Sequence, residues 1–206
     1  MKLVFATNNI HKVREASEIL GKGFVIVTPA QLGITEDIPE TGNTLRANSQ
    51  QKAEYIYSLT GLDCFADDSG LEVDILGGAP GVETARYAGP AKDPSANIAK
   101  LLTEMARREM EASFAREFGI ETSHATRKAR FRTCVTLILG GQKHFFDGAM
   151  EGKIGRELYG NGGFGYDPIF IPEGRNVTAA ELTEDEKNAI SHRGNALRAM
   201  AAFLND

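Results

Sequence analysis

What most constrains this chain is the order in which strand and helix patterns follow one another. Residues 2–7, KLVFAT, are a short apolar run with β-forming residues, the pattern of a buried strand. NIHKVREASEIL follows, with Ile10, Val13, Ala16, Ile19 and Leu20 at helical spacing and Gly21 as a stop. FVIVTP reads as a second strand, and LRANSQQKAEYIYSL as a second helix behind the polar start Thr41-Gly42-Asn43-Thr44. LDCFADD and LEVDIL look like strands on either side of a polar stretch, while GGAPGVETARYAGP is too rich in Gly and Pro to be regular. Residues 94–118 carry the longest helical pattern, through Ile98, Leu101, Leu102, Met105, Met110, Phe114 and Phe118. ARFRTCVTLILGG and QKHFFDGAMEGKI read as antiparallel strands joined at Gly140-Gly141. GGFGYDPIFIP is a Gly-rich loop entering a short strand, and TEDEKNAISHRGNALRAMAAFL closes the chain as a helical region. Early alternation followed by consecutive strands implies an α/β fold with a mixed sheet. With 206 residues, and no repeat, low-complexity tract or linker, residues 1–206 read as a single domain.

Composition narrows the choice of partner. A formal net charge of −5 supplies no basic field for nucleic acid, although a local cationic pocket still suits a small anion. Cys64 and Cys134 lie far apart with no metal-type spacing, and read as buried free thiols of a reducing compartment. The apolar run in MKLVFATNN is too short for a signal peptide or a membrane span, so a cytoplasmic protein mature from Met1, with no membrane partner, is expected.

The stretch FADDSGLEVD poses the functional question. Asp and Gly are poor strand residues, so Asp67-Asp68-Ser69-Gly70 is either a plain turn or a set of acids held at a strand's end for chemistry. In extended chain, Asp67 and Asp68 point to opposite faces: one toward a cleft, the other bracing or capping. Two acids so placed suit Mg²⁺, an oxygen-seeking ion that shares substrate phosphates. TNNIHK, Thr7 to Lys12, lies at a strand-to-helix junction, where unpaired N–H groups and the positive dipole end suit a phosphate; a simple Asn cap with a solvated Lys is the alternative. Glu36, Asp37 and Glu40 precede a helix, complementing its dipole or reaching a metal held elsewhere. In GGFGYDP, Phe164 and Tyr166 offer flat faces for a nucleobase, Gly165 allows close approach and Asp167 is an acceptor, unless the loop simply packs on the core. Lys187, Ser191, His192 and Arg193 form either an anion or base-edge reader or a cationic helix end. Jointly these features supply acids for a metal, cations for phosphates and an aromatic loop for a base. The assembly points to a nucleotide.

TNNIHK, FADDSGLEVDILGGAPGVETARYAG, GGFGYDPIF and AAELTEDEKNAISHRG, in this order, resemble the inosine triphosphate pyrophosphatase family, whose members remove non-canonical purine nucleotides such as ITP, dITP and XTP from the nucleotide pool. The resemblance runs from Lys2 to the final helix. It implies an elongated mixed β-sheet flanked by helices with a deep central cleft, a homodimer, Mg²⁺ dependence, and cleavage between the α- and β-phosphates to give a nucleoside monophosphate and pyrophosphate. By motif it implies that Thr7, Asn8, Asn9, Ile10, His11 and Lys12 hold phosphate, aided by Lys52. Glu40 and Asp68 address Mg²⁺, Asp68 is also the general base, and Ser69 contacts substrate. Phe164, Gly165, Tyr166 and Asp167 form the base pocket, with Lys187, His192 and Arg193 closing over the substrate. Arg193 is further expected to donate to the C6 carbonyl that hypoxanthine and xanthine carry and adenine lacks.

Two departures from the family pattern stand out. Ala47-Asn48-Ser49 occupies the place where bacterial relatives usually show Glu-Asn-Ala, so the metal acids reduce to Glu40, Asp67 and Asp68. The stretch from about Met105 to Arg130 is longer than usual and reads as an extended amphipathic helix with a polar connector. Nothing indicates a covalent route, since neither Cys sits in an electropositive motif. Two rivals remain: a nucleotide sensor without catalysis, which would need no metal acids, and a pyrophosphatase for pyrimidine or canonical nucleotides.

Overall fold

The computed structural model describes residues 1–120 and 126–205. The chain forms two compact units, the first comprising Met1–Ser69, Arg132–Ala149 and Asn188–Asp206, the second Gly70–Phe131 and Met150–Lys187. Seven strands make a mixed sheet: β1 (Lys2–Phe5), β2 (Val25–Val27), β3 (Cys64–Val73), β4 (Pro80–Gly81), β5 (Lys128–Leu139), β6 (Gln142–Ile154) and β7 (Phe170–Pro172). The order is β2-β1-β3-β5-β6-β7, with β4 beside β3. β1 pairs in parallel with both β2 and β3, while β4 and β7 pair antiparallel with β3 and β6. The expected mixed α/β class is therefore observed. The helices are α1 (Ile10–Leu20), α2 (Leu45–Thr60), α3 (Pro94–Glu117), α4 (Glu184–Ile190) and α5 (His192–Asn205).

In the first unit the sheet is buried on both faces, which is why its strands read as continuous apolar runs rather than as alternation. Leu3, Phe5, Phe65, Val135 and Leu137 pack with Ala16 and Leu20 of α1 and Ala196, Leu197 and Met200 of α5. The intervening residues Val4, Ala6, Cys64, Ala66 and Ile138 pack with Ala53 and Ile56 of α2. Phe5 and Phe65, directly opposite in the parallel register, stack with ring centroids 4.3 Å apart. Asn9 caps α1, Thr44 caps α2, and Gly21 and Gly61 end them at positive φ, as the capping signals in the sequence indicate.

The second unit is built on α3, whose Ile98, Leu101 and Met105 are buried. Its Asn97 accepts from the Ala88 N–H at 2.6 Å and donates to the Ala85 carbonyl at 3.0 Å, which fixes the turns after β4. The helical pattern expected over 94–118 forms, but its apolar face is not buried throughout. Met110, Phe114 and Phe118 are exposed, the two phenylalanine rings resting on each other with centroids 4.8 Å apart. Beyond Ala112 no residue of this helix is buried. Part of the polar connector expected up to Arg130, at 121–125, lies outside the described residues. The interrupted pair of strands expected around Asp67-Asp68 is instead the single strand β3. Among the described residues no helix is long and apolar enough to cross a membrane.

Close approach of α5 to β6 depends on Gly148. A Cβ built there would lie 2.1 Å from the His192 carbonyl oxygen and 2.7 Å from the Ala196 nitrogen, both backbone atoms that cannot swing aside. Gly148→Ala is therefore expected to cost about 1–3 kcal/mol of stability, read as a lower urea midpoint. An unchanged midpoint would refute this packing.

Candidate functional site

β3 keeps its two-residue period straight through the acidic motif. Phe65 faces the layer of α1 and α5, and so do Asp67 and Ser69; Ala66 faces α2, and so does Asp68. The motif is thus neither a turn nor a strand's end. It stays extended because each of the two acids finds its partners in the helix layer it meets, while Ser69 bonds Thr133 of the neighbouring strand β5.

On the α1–α5 face, Asp67 is 1% exposed and accepts from Lys12 Nζ at 2.9 Å and from Arg193 Nε at 2.8 Å. Arg193, itself 3% exposed, also donates through Nη1 to Glu15 and through Nη2 to Ser69 at 3.5 Å. Ser69 and Thr133 share a hydroxyl–hydroxyl bond of 2.6 Å, and Ser191 donates to Glu15 at 3.2 Å. Burial alone would raise the Asp67 pKa, but the charges of Lys12, Arg193 and Lys52 outweigh it and hold the carboxyl far below its usual range. The same burial pulls Lys12 downward despite Asp67, whereas Asp67 and Glu15 overcome burial at Arg193 and hold it above its ordinary value.

Two residues with expected ligand roles lie within this cluster. Arg193, expected at a base edge, pairs its Nε with the buried Asp67 and its Nη1 with the partly buried Glu15, and its Nη2 lies 3.5 Å from Ser69 Oγ. Asp67, expected among the metal acids, has each of its oxygens paired with a cation, one with Lys12 and one with Arg193.

On the α2 face, Lys52 donates to Glu40 and, at 3.3 Å, to Asp68 Oδ1. Asp68 Oδ2 accepts from Asn48 Nδ2 at 3.1 Å. Burial raises the Asp68 pKa; Lys52 and the Asn48 bond pull it down, Glu40 pushes it up, and the outcome is above the usual carboxylate value. Lys52, despite its own burial, is raised by Asp68, Asp67 and Glu40. Lys52, expected on phosphate, is thus committed to two carboxylates. Glu40 and Asp68 converge on a single cation, and such oxygen donors suit a hard divalent ion that takes one or two carboxylates and completes its shell from water and substrate. Among the described residues no group of three or more His, Cys, Asp or Glu gathers for a metal.

Asn9 caps α1, its Oδ1 accepting from the His11 and Lys12 N–H groups at 3.0 and 3.4 Å while its own N–H donates to Thr7 Oγ1 at 3.2 Å, but the Lys12 of the capping alternative is not solvated. Asn8, Ile10 and His11 are exposed, and Lys12 reaches inward to Asp67. His192 is buried at the start of α5.

The second unit holds the other group. Asp167 Oδ2 accepts from the Phe164 N–H at 2.7 Å and from Lys187 Nζ. The same ammonium stands 4.5 Å from the centroid of the exposed Phe164 ring. Gly165 turns the loop at φ 62°. Tyr166 is no open face: it is 3% exposed and donates its hydroxyl to the Thr84 carbonyl at 3.0 Å. Phe164 alone of the two rings remains presented. Both cysteines are buried and free, and burial pushes the Cys64 thiol up to about 12, away from nucleophilic use.

Sequence reasoning assigned no role to Glu15 or Asn48. Glu15 sits on a helix face among other charges, and nothing local distinguishes it from a solvated acid. Asn48 sits one turn before Lys52 on α2, and that i, i+4 spacing was the available signal.

These features define an α/β protein with a buried, charge-paired carboxylate cluster on one strand and an exposed aromatic ring beside a lysine–aspartate pair. The sequence model of the Ham1 family matches residues 3–203, and the chain belongs to that family. It is 47% identical over 203 residues to the dITP/XTP pyrophosphatase of Porphyromonas gingivalis, covering 98% of this chain and 97% of that one. It is 44% identical to the enzyme of the same name from Bacillus subtilis, covering 98% and 96%. Among solved structures, the Staphylococcus aureus Ham1 protein superposes with a TM-score of 0.84 at 33% identity, covering 100% of this chain and 98% of that one. The family resemblance read from the motifs is borne out.

Asp67→Asn would leave Lys12 and Arg193 without their buried counter-charge, and is expected to cost about 3–5 kcal/mol. The folded pKa of Asp67 is depressed, so its stabilisation is complete above the unfolded value of about 3.9 and is lost as pH falls below it. Urea midpoints of the two proteins should differ most near neutrality and converge below about pH 4. A gap that does not change with pH would refute the assignment.

Proposed function

We propose that this chain hydrolyses dITP, XTP and ITP to the corresponding monophosphate and pyrophosphate, with Asp68 as general base. The carrying observation is the convergence of Glu40 and Asp68 on one cation, Lys52, at a strand face where Asp68 is held by an amide and an ammonium. Its membership of the Ham1 family supports the reading, as do the names of its relatives from Porphyromonas gingivalis and Bacillus subtilis. dITP and XTP share a 6-oxo purine, and ITP carries the same base as dITP. Removing such nucleotides belongs to cleansing of the nucleotide pool, in the cytoplasm and as a homodimer.

In this mechanism Asp68 takes a proton from the attacking water while a new O–P bond forms. The α–β phosphoanhydride bond breaks, and pyrophosphate leaves with the bond's electron pair. General-base help of this kind contributes about 10²–10⁴ in rate. A carboxyl whose pKa is raised by burial is a better proton acceptor than an ordinary aspartate. Mg²⁺ held by Glu40 and Asp68 supplies neutralisation of phosphate charge when bound. Lys12, on the first turn of α1, contributes a point charge to the phosphates, and Asp67 fixes where that charge sits. In the second unit, the exposed Phe164 ring has the flat face that stacking on a purine requires, and Lys187 and Asp167 hold its loop.

Purified protein incubated with Mg²⁺ and dITP or XTP should release one pyrophosphate per monophosphate, detected as orthophosphate only after inorganic pyrophosphatase is added. Direct release of orthophosphate with the diphosphate as product would overturn the reading. Asp68→Asn should lower kcat by about 10² or more while the circular dichroism spectrum is unchanged. Near-normal turnover would remove Asp68 from the role of base.

A further inference from the structure

Asn48, the donor to Asp68, is 2% exposed and its amide is used at both ends. Nδ2 donates to Asp68 Oδ2 at 3.1 Å, and Oδ1 accepts from the Gly42 N–H at 2.7 Å. The amide can sit only one way round. An N–H on one side and a carboxylate on the other demand an acceptor and a donor in that order, and the reverse orientation would oppose like partners. Gly42 lies tightly against it: a Cβ there would fall 2.8 Å from Asn48 Oδ1 and 2.7 Å from Ala47 Cβ. One turn further along α2, Gln51 exchanges two bonds of 2.9 Å with Thr41, through the Thr41 N–H and its hydroxyl. Lys52 then takes Glu40. Asn48, Gln51 and Lys52 thus present one helix face to the loop Glu40-Thr41-Gly42, and of the three, Asn48 and Lys52 also reach β3.

We propose that Asn48 is a positioning residue for the reaction: it orients the Asp68 carboxylate and ties it to the loop carrying Glu40, so that the two acids keep one mutual placement. A neutral side chain with one donor and one acceptor does this without adding charge to a pair of carboxylates. Aspartate at 48 keeps the Gly42 bond and loses the donor to Asp68; alanine loses both. The proposal rests on the reading of Asp68 as general base, since a displaced base forfeits rate rather than affinity.

The test is a kinetic cycle on dITP with wild type, Asn48→Ala, Asn48→Asp, Asp68→Asn and the double variant Asn48→Ala/Asp68→Asn, each rate expressed per folded protein from its urea unfolding curve. Both single changes at 48 should lower kcat by about tenfold to a hundredfold with KM changed by no more than about threefold. In the Asp68→Asn background, Asn48→Ala should cause no further loss, because the group it orients is gone. Should Asn48→Ala fold poorly, Asn48→Asp, nearly isosteric and still bonded to Gly42, carries the test. A fall in kcat of the same size in both backgrounds, or an unchanged kcat in Asn48→Asp, overturns the positioning role while the functional reading stands. Wild-type protein inert toward dITP and XTP overturns the functional reading and this role with it.

Discussion

Adjacent carboxylates on a strand that both helix layers cover impose the main constraint on this molecule. Burying an ionised carboxylate without a partner costs several kcal/mol even after relaxation. β3 buries Asp67 almost completely and Asp68 in large part. The strand's pleat sends them to opposite faces, so each must be compensated by a different helix layer. Lys12 from α1 and Arg193 from α5 meet the first, while Lys52 and Asn48 from α2 meet the second. The weak strand preference of Asp, Ser and Gly is thereby overridden by tertiary partners. Removing one strand residue ahead of the pair, such as Ala66, would exchange the faces and set each carboxylate against the wrong layer.

The same constraint explains how far the sequence could be read. Helix and strand identities in the first unit were legible because apolar runs, caps and terminal glycines agree with one another, as at Asn9, Gly21 and Thr44. The opposite facing of Asp67 and Asp68 was legible from the period of an extended chain. Continuity of the strand through DDSG was not, because local propensity argues for a turn and the compensating cations lie as far away as residue 193 in the sequence. Arg193 was expected at a base edge for a related reason. The pairing of that guanidinium with Asp67 and Glu15 was not legible, because neither acid is near it in the sequence. Met110, Phe114 and Phe118 continue a helical apolar pattern whose first half alone is covered, a difference that periodicity does not carry.

Charge balance within the first unit bears on the chemistry as a whole. Lys12, Lys52 and Arg193 face Glu15, Glu40, Asp67 and Asp68, three cations against four carboxylates. The cations are therefore already committed before any anion arrives, and the cluster has no positive surplus with which to neutralise a triphosphate. On the proposed reading, a divalent cation arriving with such a substrate would supply that compensation, and Glu40 and Asp68 would hold it. Asp67 differs from those two acids in this respect. Its oxygens are held by Lys12 and Arg193 on the face opposite that of Asp68, so its charge is bound into the scaffold. Two neighbouring aspartates thus meet different helix layers, and on the proposed reading, with Asp68 as the base, the alternation of a single strand separates the charge that holds the scaffold from the one that does the chemistry.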